Sequence, residues 1–151
     1  MKKDAIRAIA ICVFRHGDKI LAAEGFDSIK QQTFYRPLGG TIEFGEHSSE
    51  TVRRELLEEL GAEVTDLRYL GTLENSFIFE AEKGHEIVLV YDGAFTDRAI
   101  YEKTAIQGIE MGAPFRAVWL DLKDVGPGKP PLYPSGLSEL LQESHHEKSP
   151  A

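Results

Sequence analysis

The stretch Ser48-Ser49-Glu50-Thr51-Val52-Arg53-Arg54-Glu55-Leu56-Leu57-Glu58-Glu59-Leu60-Gly61 sets the frame for the whole chain. No proline or glycine interrupts it before Gly61, so it predicts a helix from His47 or Ser48 to about Leu60. Ser48 suits the N-cap, and Glu50 suits the first turn, where a negative charge meets the positive end of the helix dipole. Gly61 suits the left-handed residue that ends a helix. At about 100° per residue, with Glu55 at zero, Glu59 falls at about +40° and Glu58 at about −60°. Three carboxylates therefore share one side. Val52, Leu56 and Leu60, with Leu57 further round, form an adjoining apolar stripe that a sheet can cover.

Phe34-Tyr35-Arg36-Pro37-Leu38-Gly39-Gly40 precedes the helix, and its proline and glycines exclude helix there. Residues 24–33 are polar and aperiodic and predict an exposed loop. Ala5 to Phe14 is almost continuously apolar, as in a central strand covered on both faces. His16-Gly17-Asp18 predicts a turn into a second strand, Lys19 to Ala23. After the helix, strands are expected over residues 63–72 and 75–80, with a turn at Lys83-Gly84. Ile87 to Tyr91 is a second run apolar on both faces. One edge strand is expected within 101–111, and another strand over 115–120. Four prolines and three glycines between Gly126 and Gly136 predict a loop. Ser135 can cap a last helix whose inner face is Leu137, Leu140 and Leu141. Two helices among many strands predict an α/β fold, a mixed sheet between helical layers, with a strand order that is not readable.

The chain has 151 residues, 42% of them apolar and 28% charged. That is a globular composition sized for one domain, expected over 1–143, with 144–151 as a flexible tail. No apolar run reaches the roughly 18 residues of a membrane helix. The formal charge of −8 speaks against stable nucleic-acid binding and against an anionic membrane. The single cysteine, Cys12, excludes an internal disulfide and a four-cysteine metal site. A reducing cytoplasm is the expected compartment.

Pairs Glu55/Glu58 and Glu55/Glu59 are like charges at contact spacing, each costing roughly 0.2–0.5 kcal/mol when exposed. Beside an apolar stripe the repulsion grows unless something positive lies between them. Arg53 and Arg54 offset part of the charge. They cannot offer what Mg2+ or Mn2+ offers, a hard cation shared among several oxygens. Gly39 and Gly40 lack a Cβ, so backbone there can approach a metal or a phosphate. Glu46 can join the cluster as an outer ligand. No Walker-type phosphate loop and no dinucleotide GxGxxG is present.

Gly40, then Glu46, then Arg54-Glu55-Leu56-x-Glu58-Glu59-x-Gly61-Ala62 is identified as a Nudix box. Every charged and glycine position of the motif is present; Ala62 replaces a usual larger aliphatic residue, and Leu38 stands where a proline is frequent. The resemblance implies an α/β/α sandwich and hydrolysis of a nucleoside diphosphate linked to another moiety, with Mg2+ or Mn2+. It implies that Glu58 and Glu59 are the principal metal carboxylates, with Glu55 as a further ligand. It implies that Arg54 holds the glutamates by salt bridges and that the Gly39 carbonyl binds metal. A homodimer is common in the family.

Outside the box, Glu86 is a candidate metal ligand, or else a strand-edge acid. Arg36 is a candidate phosphate contact. Tyr35 and Phe34 can stack on a base or serve the core. Glu110 reads as an exposed acid rather than a late metal ligand, and His85 as structural rather than a proton-transfer group or base contact. Bound metal would acidify a water, and a glutamate, Glu55 by preference, would take its proton. The expected activity is a nucleotide pyrophosphohydrolase acting on a small phosphorylated metabolite. The alternative is a noncatalytic Nudix-like nucleotide-binding or regulatory domain. A prenyl-diphosphate isomerase is disfavoured because the lone cysteine lies in the first strand.

Overall fold

The computed structural model describes residues 4–148. Its elements are β1 (Ile6–His16), β2 (Lys19–Asp27), β3 (Gln32–Arg36), β4 (Leu38–Thr41), α1 (Ser48–Leu60), β5 (Val64–Phe79) and β6 (Glu82–Phe95). They continue with β7 (Ala105–Glu110), β8 (Ala113–Asp121) and α2 (Leu137–Lys148), with short 3-10 turns at Arg98–Glu102 and Leu122–Asp124. The strand order is β5-β6-β1-β2-β8-β7, with β3 paired to β2 and β4 to β1. β1 and β6 run parallel while the other pairs are antiparallel, so the sheet is mixed.

Alternation along β1 builds two cores. Ala10, Cys12 and Phe14 face one side, where Val52 and Leu56 of α1 pack. Ile9, Ile11 and Val13 face the other, with Leu137 and Leu141 of α2. A strand whose successive side chains point to opposite faces is uniformly apolar only when both faces are covered. The apolar run at the start of the chain thus encodes the two-sided α/β/α arrangement, as expected.

Several local expectations are overturned. Residues 24–33 are not a loop: β2 runs to Asp27 and β3 starts at Gln32. Buried Asp27 organises the short turn between them by accepting the N–H groups of Ile29 and Lys30. The β5–β6 turn is at Glu80-Ala81, both left-handed (φ 50° and 69°), rather than at Lys83-Gly84. A turn of this kind normally favours Asn-Gly. Here tertiary contacts hold it: the Glu80 N–H donates to Asp27 and Lys30 Nζ donates to the Ile78 carbonyl. Gly84 lies within β6, where the Phe77 ring occupies the space a Cβ would need. The two expected strands at 63–80 are one strand, β5, with bulges near Asp66 and Leu70.

His47, not Ser48, caps α1, accepting the Ser49 N–H at Nδ1. The Ser48 hydroxyl instead meets Tyr91 Oη in the interior, 2.6 Å away. Leu57 leaves the apolar stripe and is exposed. Gly61 closes the helix at φ 65°, as expected. Gly39 and Gly40 lie in β4 opposite Ile11 and Ala10. The first α2 bond runs from the Leu140 N–H to the Gly136 carbonyl, so Gly136 takes the place expected of Ser135. The helix continues through Lys148, with Ser144 buried against Arg15. Residues 149–151 of the expected tail lie outside the described residues.

Candidate active site

Arg54 is the centre of the acidic face. Burial of Thr51, Val52 and Leu56 against the sheet fixes the rotation of α1 and brings Arg54 over the β4–α1 loop. Its Nε and Nη2 donate to the two oxygens of Glu46 at 2.8 and 3.0 Å. Nη1 donates to Glu55 at 2.9 Å and reaches Glu58 at 3.4 Å. Nη2 also donates to the Thr41 carbonyl at 3.0 Å. One planar fork therefore ties the loop, β4 and two helix carboxylates together, which an ammonium could not do. Thr51 Oγ1 donates to Glu46 at 2.6 Å, so both Glu46 oxygens are committed.

The three helix carboxylates differ in environment. Glu58 is largely exposed, Glu55 half-buried and Glu59 only 5% exposed. Both Glu59 oxygens are shut off from solvent without a hydrogen-bond partner. Its carboxylate adjoins that of Glu55, and two ionised carboxylates offer each other only acceptors. A proton or a cation is needed to join them. Among the described residues, no three acidic, histidine or cysteine groups stand ready-made as a metal cage. The donor set is nonetheless all oxygen, and the orphaned Glu59 carboxylate is what a hard divalent cation would satisfy.

The adjacent glycines have different jobs. A Cβ on Gly39 would lie 2.0 Å from the Ala10 carbonyl oxygen and 2.7 Å from Ile11 Cα. A Cβ on Gly40 would lie 2.4 Å from Glu55 Cδ, a movable side-chain end. Gly39→Ala is therefore expected to destabilise the fold by about 3 kcal/mol, since backbone must yield. Gly40→Ala is expected to keep the fold within about 1 kcal/mol, while displacing Glu55 lowers turnover about a hundred-fold. Urea unfolding and kcat of both variants check this; equal stability losses would refute the division of labour.

Electrostatics separate the acids further. Hydrogen bonds from Arg54, then from Thr51, hold the Glu46 carboxyl down to about 2. Burial, then the Glu55 carboxylate and the charge of Glu110, push Glu59 up to about 9, with Arg36 acting the other way. In an unfolded chain that group has an ordinary value of 4.5. Between 4.5 and about 9 the folded, metal-free protein thus holds a proton that the unfolded chain releases. Its stability should fall as pH rises through that window, by up to about 1 kcal/mol per pH unit. Urea midpoints in EDTA from pH 6 to 9 test this, and Glu59→Gln should flatten the profile. A wild-type midpoint that stays level would contradict a buried, protonated Glu59.

The remaining candidates scatter around this core. Arg36 Nη2 donates to both oxygens of Glu110 at 3.0 Å, and the charges of both residues act on Glu59. Glu110 thus belongs to the site's surroundings and is not merely an exposed acid. Tyr35 is half-buried on β3, and its backbone is strapped to the proline-rich loop through the Pro131 carbonyl and the Tyr133 N–H. Phe34 covers Gly25 and meets Phe79 and Tyr133 edge-on, so it serves packing. Glu86 faces Arg7 at 3.5 Å, and Arg7 donates to Thr41 Oγ1, which links Glu86 to the Arg54 network only indirectly. His85 pairs with exposed Glu74 at 2.7 Å. Among the described residues no helix is long and apolar enough to cross a membrane.

A family model described as the NUDIX domain matches residues 4–143. The fold is similar to the crystal structure of a MutT NUDIX hydrolase from Burkholderia pseudomallei, with a TM-score of 0.65, 20% identity, and coverage of 92% of this chain and 98% of that one. A NUDIX hydrolase from Nitrosomonas europaea gives 0.67 at 16% identity, covering 95% and 91%. The solution structure of the E. coli ORF135 protein gives 0.54 at 18% identity, with the same coverage of 95% and 91%.

Proposed function

Because this chain belongs to the NUDIX domain family, we propose that it is a metal-dependent pyrophosphohydrolase of a small nucleotide-linked metabolite. One observation carries the proposal: Glu59 is buried with two unbonded carboxylate oxygens beside Glu55, in an array braced by Arg54. Without a cation only a proton can join Glu59 to Glu55, which holds Glu59 far from its ordinary ionisation; a divalent cation would join both carboxylates in their charged form. Glu55, Glu58 and Glu59 would hold Mg2+ or Mn2+, with the Gly39 carbonyl, Glu46 and Glu86 as the outer candidates. The cation would supply phosphate charge screening and an acidified water.

The chain's own residues do the rest. Arg54 fixes Glu55 through one oxygen, and Gly40 leaves room for that carboxylate above β4. Glu55 is the preferred acceptor of the water proton. Arg36 binds the phosphate chain and Tyr35 the nucleoside. Glu46 keeps Arg54 in register throughout the cycle, because its carboxyl stays ionised far below neutrality.

A Mg2+-dependent screen decides the matter, using nucleoside triphosphates, dinucleoside polyphosphates, ADP-ribose and nucleotide sugars as separate classes. The expected products are a nucleoside monophosphate and the phosphorylated remainder. Binding without turnover of any class would instead favour a noncatalytic nucleotide-binding domain.

A further inference from the structure

Three hairpins set a glycine directly across from a phenylalanine: Gly25 faces Phe34, Gly84 faces Phe77, and Gly108 faces Phe115. In each pair the ring lies over the glycine, in the space a Cβ would take. Such a ring covers backbone that the glycine leaves bare. At Gly25 and Gly84 the nearest atoms all belong to that ring. Gly108 differs, because a Cβ there would also lie 2.9 Å from the Glu59 carbonyl oxygen, on α1. It has no left-handed φ to accommodate, so space rather than backbone conformation calls for glycine.

β7 ends the strand order beside β8, and Ile106, on the same face as Gly108, is buried in the core that α1 shares. Phe115 packs against that core as well. The strand therefore runs against the last turn of α1, which carries Glu58 and Glu59. Glu59 takes part at both ends: its carbonyl meets Gly108, and its carboxylate adjoins that of Glu55. Because Glu59 is buried, its side chain has no free space in which to make up for a moved backbone. A Cβ at 2.9 Å would stand about 0.5 Å inside the roughly 3.4 Å at which carbon and a carbonyl oxygen normally rest. Strand and turn would have to part, and the carboxylate would travel with the turn.

On the hydrolase proposal above, we propose that Gly108 is a positioning residue: by lacking a Cβ it seats the last turn of α1 at the depth that brings the Glu59 carboxylate to the cation it would share with Glu55. Phe115 closes the seat from the β8 side. A purely structural role, cover for a bare strand, belongs equally to Gly84 and predicts no particular effect on metal.

Two readouts test the seat in wild type, Gly108→Ala, Gly84→Ala, Phe115→Leu and the Gly108→Ala/Phe115→Leu double variant. The first is the set of amide resonances of the metal-free protein. Gly108→Ala should move those of residues 58–61, and Gly84→Ala should leave them in place. The second uses Mn2+ alone as the probe, with free Mn2+ read by electron paramagnetic resonance. Gly108→Ala should weaken Mn2+ binding about ten-fold, the scale of a disturbed metal surround. Gly84→Ala also displaces a ring, yet should bind within about two-fold of wild type. In the Phe115→Leu background the added Cβ is relieved of the ring but still meets the Glu59 carbonyl, so the weakening should stay above about five-fold. That double variant, compared with Phe115→Leu, carries the same test should Gly108→Ala alone not fold. Full recovery of binding there would assign the effect to the ring and overturn the seat. Unmoved resonances in Gly108→Ala, or equal losses in Gly108→Ala and Gly84→Ala, would overturn it too. Wild-type turnover and Mn2+ binding, with a last turn that ignores Gly108→Ala, would sink the positioning role alone. Should wild type bind no Mn2+, the hydrolase proposal falls, and this role in metal binding falls with it.

Discussion

Glu59→Gln is expected to give a folded protein whose phosphoanhydride hydrolysis is slower by about a thousand-fold. The two side chains have the same shape. In the metal-free protein the buried Glu59 carboxyl, raised to about 9, is protonated at neutral pH, so a neutral amide replaces a neutral acid. Folding therefore loses nothing, and stability relative to wild type should rise from about pH 4.5 upward, because the amide abolishes the proton release that favours the unfolded chain. What disappears is the negative charge available to a divalent cation. Urea unfolding, Mn2+ affinity and kcat, measured together, separate these effects. Near-normal hydrolysis by both Glu59→Gln and Glu58→Gln would end the assignment of these carboxylates to metal.

Arg54→Ala should fail on both counts, stability and turnover. The change removes donors from both Glu46 oxygens, from Glu55, from Glu58 and from the Thr41 carbonyl. Glu46, mostly shielded from solvent, keeps the Thr51 hydroxyl but loses its counter-charge. Breaking the pair from one side lowers stability, because the Glu46 charge is left behind with one fewer partner. Loss of the brace on Glu55 should lower kcat by a further hundred-fold or so. Arg54→Lys should recover only part of either, since an ammonium cannot span Glu46 and Glu55 at once. The acid limb gives an independent check. Glu46 has a lowered carboxyl, so its stabilisation is present above the ordinary 4.5 and is lost as pH falls towards about 2. That loss should be smaller in Arg54→Ala, where only the Thr51 hydroxyl and the Glu43 N–H still hold Glu46 down. A variant as stable and as active as wild type would show that Arg54 braces nothing.

The helix that carries these predictions was legible because its constraints are local. Spacing along about 100° per residue puts Glu55, Glu58 and Glu59 on one side, and Gly61 supplies the left-handed stop. The two apolar strands were legible because a strand covered on both faces must be apolar throughout. Turn positions failed where distant contacts outweigh local preference. Glu80-Ala81 takes the turn because Asp27, far away in the sequence, receives the Glu80 N–H. Asp27 and its neighbours read as loop because the charge that organises the turn is invisible as periodicity. The N-cap moved from Ser48 to His47 because Tyr91 claims the Ser48 hydroxyl inside the protein.

Residue identity at fixed spacing determined the fold family, the acidic helix face and the arginine that braces it, since each depends on one helical turn or on alternation within one strand. Tertiary structure decided which carboxylate is buried and orphaned, that Gly39 serves the backbone while Gly40 makes room for Glu55, and that Glu110 meets Arg36. Those outcomes depend on how a hairpin curls over a helix and how closely two strands approach. Such distances are set by packing among residues far apart in the chain, and no pattern within a single segment records them.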